Sequence, residues 1–342
     1  MTQTPNLAII ILNWNGFEDT VKCLQSVTEN DYSHYKIVLV DNGSENSEGE
    51  KLKQLFPQVH LIQNKVNRGF AGGNNDGINW AFDHGCDYII NLNNDCVVTR
   101  PWLSQLIAGI ISVKADFGSS MILFEDSKDL IASDEDVLLP DGSALSIHRN
   151  QPHVFQSKSR PIFGACGAGS IYSKQALQAV RIKENQYFNE MHFAFYEDID
   201  LAMRLHMKDF RAVVVPEAVI YHKHSKTAGK YSEFKIFHSE KNRILNEILN
   251  FPVPWIVLGE IFFCTKVFLG LVYAFFNPQS KAGRYKANIK VSRMAPLFLK
   301  ARWWIIQHFS QILGDRRERK QRGFIKNRVC RYFNWNIIKF VK

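Results

Sequence analysis

The sequence predicts an α/β domain built on a mostly parallel sheet with helices on both faces. Three observations point there. Short runs rich in β-branched residues alternate with segments of helical spacing, the runs end on polar residues, and small residues gather where later helices begin. In such folds ligands bind beyond the carboxyl ends of the strands, towards which helix N-termini also point.

Residues 7–12, "LAIIIL", form the first apolar run, which stops at Asn13. It is too short for a signal peptide or an anchor and reads as the first buried strand. "EDTVKCLQSVTE" has helical spacing, and residues 37–40 make a second strand that ends at Asp41, Asn42 and Gly43. A third strand near 59–63, a helix from about 72 to 83 and a strand at 88–92 continue the alternation. The last of these runs straight into Asn93, Asn94 and Asp95. Asn13, Asp41 and residues 93–95 can therefore converge on one edge of the sheet.

A helix in "WLSQLIAGIISV" follows Pro101, and residues 117–161 read as a less regular stretch of charged turns and hairpins. The pattern resumes in "FGACGAGSIYSKQAL", whose small residues permit close backbone approach before a helix near Ser173. "YEDIDLAMRLHMKD" predicts a helix from about Glu197, and "FRAVVVP" a strand after it.

The chain has 342 residues with 46% hydrophobic content, enough for one large core or a domain plus an appendage. Its six cysteines form no close pairs, so neither a zinc knuckle nor a disulfide framework is indicated and free thiols in a reducing compartment are expected. The net charge of +9 is unevenly placed: residues 281–342 carry 17 Lys/Arg and 2 Asp/Glu, whereas the rest of the chain is net negative. Residues 1–250 thus read as the α/β domain and 251–342 as a hydrophobic and basic helical extension.

Within that extension residues 253–276 are mostly apolar but contain Glu260 and Lys266. A membrane span, an interfacial helix and a helix packed on protein all remain open, with the internal carboxylate counting against a span. Beyond it, Lys and Arg interleave with Trp, Phe, Tyr and Ile, as expected for helices on an anionic membrane surface. Nucleic acid is not the expected partner, since no reader motif is present and the aliphatic content exceeds what a phosphate-binding arm needs. Oligomeric state is not readable from composition.

Several polar groups can carry chemistry. Asp95 at a strand end either closes an Asx turn or holds a divalent cation and, through it, a diphosphate. Asp41 either caps the next helix or accepts hydrogen bonds from a base or ribose. The loop "NKVNRGFAGGNNDGI" gathers glycines with Asn67, Asn75 and the cation of Arg68, a composition suited to a diphosphate, yet it matches neither a dinucleotide fingerprint nor a Walker loop. Glu197 and Asp198 either cap their helix or supply a base kept ionised by free backbone amides. Asp200 and Arg204, four apart, predict a structural pair. His222 and His224 either pack or contribute to a metal or diphosphate site, while Trp14 and Trp80 read as packing residues.

"ILNWNG", "VDNGS", "NRGFAGGNN", "LNNDCVV", "FYEDIDLAMR" and "VIYHKHS", in this order, resemble the inverting nucleotide-sugar glycosyltransferases of the GT-A fold, glycosyltransferase family 2, and among them bacterial rhamnosyltransferase-like enzymes of surface-polysaccharide synthesis. The resemblance spans roughly residues 5–250. It implies that Asn13, Asp41, Asn67, Arg68, Asn75 and Asn94 face the nucleotide donor and that Asn93-Asn94-Asp95 stands for the family's Asp-x-Asp motif. Asp95 would be the principal ligand of Mg²⁺ or Mn²⁺, joined by His222, and Asp198 the base. Gly167, Ala168 and Glu197 would line the acceptor side; tight sheet–helix packing explains the small residues equally well. The implied partners are a dTDP- or UDP-linked sugar, a glycan or polyprenyl-diphosphate-linked acceptor, and the inner face of the cell membrane, on which the protein would lie peripherally from the cytoplasm. Two other readings compete. A nucleotidyltransferase should carry a basic loop after the first strand, which "NWNGFEDT" lacks, and a membrane-attached nucleotide-sugar-binding scaffold should have lost Asp95 or Asp198.

Overall fold

The structure, a computed structural model, describes residues 4–154, 158–223, 232–279 and 291–336. Two compact units are present. The first comprises Met1–Asp136 and Ser146–Ser225, the second Val137–Leu145 and Lys226–Lys342.

The first unit opens with β1 (Leu7–Asn13), α1 (Phe17–Thr28), β2 (Tyr35–Asp41), α2 (Glu48–Leu55), β3 (His60–Gln63), α3 (Gly69–Asp83) and β4 (Tyr88–Asn93). Next come β5 (Cys96–Val98), α4 (Trp102–Ser112), β6 (Phe117–Phe124) and β7 (Ile131–Ser133). Strands β8 (Asp136–Leu138) and β9 (Ala144–Ser146), most of whose residues belong to the second unit, pair as a small sheet of their own. The first unit ends with β10 (Arg160–Pro161), β11 (Gly169–Ser173), α5 (Lys174–Val180), α6 (Glu197–Met207) and β12 (Ala212–His222).

The main sheet runs β10-β12-β6-β11-β4-β1-β2-β3. β1 lies parallel between β2 and β4, as do β3 on β2 and β12 on β6, while β11 runs antiparallel between β4 and β6. Register settles where the polar strand ends fall: Asn13 sits opposite Asp41, and Leu12 opposite Asn93. Because β11 is antiparallel, its first residue, Gly169, lies beside Leu92, which brings the preceding small-residue loop to the same edge. Core side chains from β1, β2, β4, α1 and α4 are fully buried, among them Ile9, Ile11, Leu24, Leu39, Ile90 and Trp102.

Two expectations change. The stretch 117–161 is not irregular throughout, because it begins with β6, a buried strand in the middle of the sheet. Its sequence, "FGSSMILF", hides this, since Gly118, Ser119 and Ser120 replace the usual β-branched residues. The serines are tolerated because Ser120 accepts a hydrogen bond from Trp102 Nε1 at 2.9 Å and Ser119 donates to the Ser120 carbonyl at 3.0 Å. The glycine-rich segment belongs to α3 itself, which starts at Gly69. A Cβ on Gly73 would lie 2.6 Å from Leu12 Cδ2, and one on Gly77 2.6 Å from Ile10 Cγ2, so these glycines let α3 approach β1 closely.

The second unit holds α7 (Glu233–Asn250), α8 (Val253–Phe276), α9 (Val291–Gln307) and α10 (Phe309–Gln321). The structural division falls near residue 225 instead of at 250, because α7 packs against the helices that follow it. Lys241 Nζ sits 4.6 Å from the Trp304 ring centre, Arg302 bonds Glu240 at 2.6 Å, and Arg319 bonds Asn250 at 2.8 Å.

Candidate active site

At the carboxyl edge of the sheet the amide of Asn13 organises the β1–β2 end. Fully buried, its Nδ2 lies 3.2 Å from Asp41 Oδ1, 3.0 Å from Ser44 Oγ and 3.0 Å from Glu48 Oε2, while its Oδ1 accepts from Thr20 at 2.7 Å. Asn94 Nδ2 donates to the same Thr20 hydroxyl at 2.9 Å. A chain of hydrogen bonds thus runs from Asn94 through Thr20 and Asn13 to Asp41 and fixes the rotamers along the edge. Thr20, Ser44 and Glu48 were not among the candidates; their only sequence signal is proximity to the strand ends.

Asn67 accepts from Asn42 at 3.1 Å and from the Gly69 N–H at 2.8 Å, which shapes the turn into α3. Arg68 and Asn75 differ from the expected donor contacts. The Arg68 guanidinium is bonded to Asp76 and, at 3.1 Å, to Glu190. Asn75 is buried and accepts from the N–H groups of Tyr187 and Phe188 at 3.0 and 2.9 Å. Its Nδ2 donates to the Phe188 carbonyl and to Glu190 at 2.9 and 3.1 Å. All its bonding positions are used within the chain, so Asn75 is a latch on residues 187–190 and has nothing left for a donor.

Asp95 lies in the turn between β4 and β5. β12 pairs antiparallel with β5, setting His222 opposite Cys96, so His222 Nε2 comes to 3.0 Å from Asp95 Oδ1. Cys96 completes a group of three whose ligand atoms lie within 4.8 Å of one another. A carboxylate oxygen and an imidazole nitrogen side by side suit a borderline-hard cation such as Mn²⁺ and, with further oxygens from a diphosphate, Mg²⁺. Cys96 does not suit such an ion, because complete burial and the Asp95 charge hold its thiol well above the ordinary range and so protonated. His224, the other candidate histidine, lies outside the described residues.

Asp198 occupies the first turn of α6, following Tyr196 in the left-handed region at φ 65°. Its Oδ2 accepts from the Gly167 N–H at 3.2 Å and its Oδ1 from the Ile199 N–H at 2.8 Å. Burial raises its pKa, and these backbone donors act in the opposite direction. The next residue of the loop, Ala168, accepts from the Asn93 N–H at 3.1 Å. Consecutive loop residues therefore tie the Asp198 carboxylate and the Asn93–Asp95 turn to one piece of backbone. Glu197 is buried. Asp200 and Arg204 form the structural pair the spacing predicts, both fully buried, with Nε 3.0 Å from Oδ2. Trp14 is 44% exposed at the end of β1, contrary to the packing role expected of it, whereas Trp80 stacks on His60 and His84.

One carboxyl that the sequence does not single out feels the Asp198 charge. Asp136, at the start of β8, is pushed up to about 7 by burial, with the Asp198 and Asp134 charges adding to the effect. Its only signal in the sequence is the acidic run "SDED", inside the stretch read as charged turns.

The model of glycosyl transferase family 2 matches residues 8–181, half of the chain. A hexosyltransferase of low-salt glycan biosynthesis, Agl10 of Haloferax volcanii, is 23% identical over 250 residues, 71% of this chain and 76% of its own length. The rhamnosyltransferase WbbL of Escherichia coli is 26% identical over 249 residues, 68% of this chain and 89% of its own. Among solved structures, GalNAc-T7 with UDP, GalNAc and Mn²⁺ superposes with a TM-score of 0.56 at 14% identity over 73% of this chain, which spans about half (49%) of that one. S. aureus TarS superposes with a TM-score of 0.53 at 13% identity over 93% of this chain and 54% of its own. These two structures share the GT-A fold of the sheet described above.

Proposed function

Because the chain belongs to glycosyl transferase family 2, we propose that it moves a sugar, with inversion, from a dTDP- or UDP-linked donor to a hydroxyl of a glycan or polyprenyl-diphosphate-linked acceptor in bacterial surface-polysaccharide synthesis. Rhamnose is the proposed sugar, in keeping with the rhamnosyltransferase among its relatives. The observation that carries this reading is the loop 164–169, where Gly167 holds Asp198 and Ala168 holds the Asn93–Asp95 turn.

Asp198 takes the proton of the acceptor hydroxyl as that oxygen attacks the anomeric carbon, and the electron pair of the breaking C–O bond leaves with the nucleoside diphosphate. Gly167 and Ile199 N–H groups aim the carboxylate and favour its ionised form before attack. Asp95 and His222 would hold a divalent cation, which when bound offsets the charge growing on the leaving diphosphate. Asn13 and Asn94 keep the nucleotide edge rigid, and Asp41 meets the base or ribose. A single displacement inverts configuration; a double displacement needs a nucleophilic carboxylate on the opposite face of the sugar.

The second unit supports attachment to an anionic membrane surface. Among the described residues α8 is the one helix long and apolar enough to cross a membrane. Its two charges are both answered within the unit: Glu260 bonds Arg243 at 2.8 Å, and Lys266 bonds Asp141. Its apolar side chains, including Val257, Ile261, Phe268 and Phe275, are exposed, as are Leu299 and Trp303 of α9. An interfacial helix with apolar side chains in the acyl boundary and basic neighbours at the headgroups satisfies both facts.

The test is release of nucleoside diphosphate from a panel of UDP-, dTDP- and GDP-sugars, with and without Mg²⁺ or Mn²⁺, for the native chain, Asp95→Ala and Asp198→Ala. Metal-dependent turnover of one donor, lost in both variants, is expected. Turnover that survives Asp198→Ala would remove the base assignment, and absence of binding to every nucleotide would remove the transferase reading.

A further inference from the structure

We infer that Asn75 and Glu190 are positioning residues for the base: they fasten residues 187–196, the segment that hands the chain to Asp198, onto helix α3, which opens at the loop of Asn67 and Arg68. The role rests on the transferase reading, in which Asp198 takes the acceptor proton. The fastening itself rests on bonds within the first unit.

The grip is closest at Tyr187, whose backbone is held from two helices. Its N–H donates to Asn75 Oδ1 of α3 at 3.0 Å, and its carbonyl accepts from Arg204 of α6 at 2.6 Å. Arg204 in turn holds Asp200 Oδ2 at 3.0 Å, in the first turn of α6 and two residues beyond Asp198. Asn75, Tyr187, Arg204 and Asp200 are all buried, so water does not compete for this chain of bonds from α3 to the base helix.

A second hold follows at Glu190. Its Oε1 accepts from Asn75 Nδ2 at 3.1 Å, and Arg68 Nη2 donates to its two oxygens at 3.1 and 3.2 Å. The ion pair is 36% and 35% exposed on its two sides and is weak by itself; the bond to buried Asn75 ties it to the interior. The third hold is made by backbone alone. The Phe193 carbonyl accepts from the Ala71 N–H at 3.2 Å, and only a glycine at 69 leaves room for it, since a Cβ there would collide with that oxygen.

The backbone shows what these holds oppose. Phe193, Phe195 and Tyr196 lie in the left-handed region at φ 65°, 69° and 65°, and Tyr196 leads directly into α6. Bulky residues stay there only where their surroundings fix them. Released from Asn75 and Glu190, the segment relaxes, and the first turn of α6 moves off the Gly167 N–H that holds Asp198 Oδ2 at 3.2 Å. Burial raises the Asp198 pKa and the Gly167 and Ile199 N–H groups lower it, so a displaced Asp198 stays protonated to higher pH. The other titratable groups that feel its charge are Asp136, Cys166 and Tyr172, with Glu197 next to it in the chain. Removing the negative charge of Glu190 acts in the opposite direction, because it favours ionisation of any carboxyl nearby.

Glu190→Ala in the full chain is the first test, because the side chain is partly exposed and its loss leaves the buried bonds at Tyr187 in place. Hydrogen exchange without substrate, read by mass spectrometry, is expected to be about 10-fold faster or more in peptides spanning residues 187–201 and unchanged in β1. Turnover is read as release of nucleoside diphosphate from the active UDP- or dTDP-sugar. It should show kcat lowered by about 10- to 100-fold, a donor KM within about threefold of native, and an acid limb of kcat/KM moved to higher pH. Glu190→Gln, which still offers an oxygen to Asn75 and Arg68, is expected to recover most of that loss. At the buried joint Asn75→Asp keeps the bonds from Tyr187 and Phe188 and loses the two it donates. Adding Glu190→Gln returns a donor to the pair, so the double variant should turn over faster than Asn75→Asp alone. Native exchange and native kcat in Glu190→Ala would overturn the proposal. So would a fall in kcat that only tracks the loss of folded protein and leaves the acid limb in place, the mark of a purely structural role. If Asn75→Asp does not fold, the Glu190 variants decide alone. If Asp198→Asn keeps full turnover, the base assignment fails and the positioning role with it, while the exchange rates still judge the fastening.

Discussion

The two units of this chain put charge and oil in opposite places. In the first, the strands Leu7–Asn13 and Tyr35–Asp41 bury isoleucine, valine and leucine and carry their polar groups to the sheet edge. In the second, Glu240, Lys241, Arg243, Glu247 and Asn250 of the helix Glu233–Asn250 are buried, and Val257, Ile261, Phe268, Leu299 and Trp303 face outward. The first arrangement is that of a domain in water. The second makes sense when the outward side chains meet something as apolar as themselves, because large exposed apolar surface is otherwise unfavourable.

The units also differ in how buried charge is treated. Around Arg243 three carboxylates are answered: Glu240 at 3.1 Å, Glu247 at 3.0 Å and Glu260 at 2.8 Å, with Arg302 reinforcing Glu240. Beside Asp198 no cation is bonded among the described residues, and the carboxylate is held by backbone N–H groups. A neutralised cluster stabilises a particular packing; a carboxylate left without a counter-ion remains able to accept a proton.

The sharpest way to break this contrast is Asp198→Asn, which keeps the shape and removes the base. Turnover should fall by about 10²–10⁴-fold with nucleotide binding retained, measured as nucleoside-diphosphate release and by calorimetry. If binding falls in parallel, Asp198 is structural, like its neighbour Asp200. In the other unit, Arg243→Met removes the central cation from the buried Glu240 and Glu247 and from the partly exposed Glu260. It should destabilise the chain by about 3–5 kcal/mol, read by denaturant unfolding of that unit. Equal stability would mean the cluster is well solvated and the contrast false.

A smaller effect is expected on the outward face. Replacing Leu299 and Trp303 by alanine together should weaken binding to vesicles containing anionic lipid by about 10-fold or more while leaving thermal unfolding unchanged, since both side chains are exposed. Unchanged vesicle binding would send the apolar face to a protein partner instead. A pH-dependent effect concerns Glu247, whose carboxyl is pushed up to about 10 by burial, with Glu260 and Asp141 adding to this against the pull of Arg243. The folded chain then binds a proton that the unfolded chain releases above its ordinary value of 4.5. Stability from this group is complete below that value and is lost as pH rises towards 10. Glu247→Gln should flatten that fall, and parallel curves of unfolding temperature against pH for the two proteins would refute it.

Much of the first unit was legible in the sequence because its signals are local. Alternating apolar runs and polar strand ends depend on residues next to each other, so the parallel sheet, the edge carrying Asn13, Asp41 and Asp95, and the helix opening at Glu197 could be read directly. The strand Phe117–Phe124 could not, since its small residues are explained only by Trp102 and the neighbouring strands. The same holds for Asn75, whose composition-based place in a donor loop gave way to four bonds to residues more than a hundred positions away.

What the sequence determined by itself, then, is the inventory: a carboxylate after the fourth strand, an acid pair at a helix start, a histidine at the end of the last strand, and an apolar stretch interrupted by two charges. Tertiary structure decided what each one meets. Strand register set His222 beside Asp95, an antiparallel strand brought the loop of Gly167 and Ala168 between Asp198 and the Asn93–Asp95 turn, and helix packing turned Glu260 and Lys266 inward. The reason is range: propensity and periodicity act over a few residues, whereas the charge, hydration and basicity of a side chain depend on whichever distant groups the fold places against it.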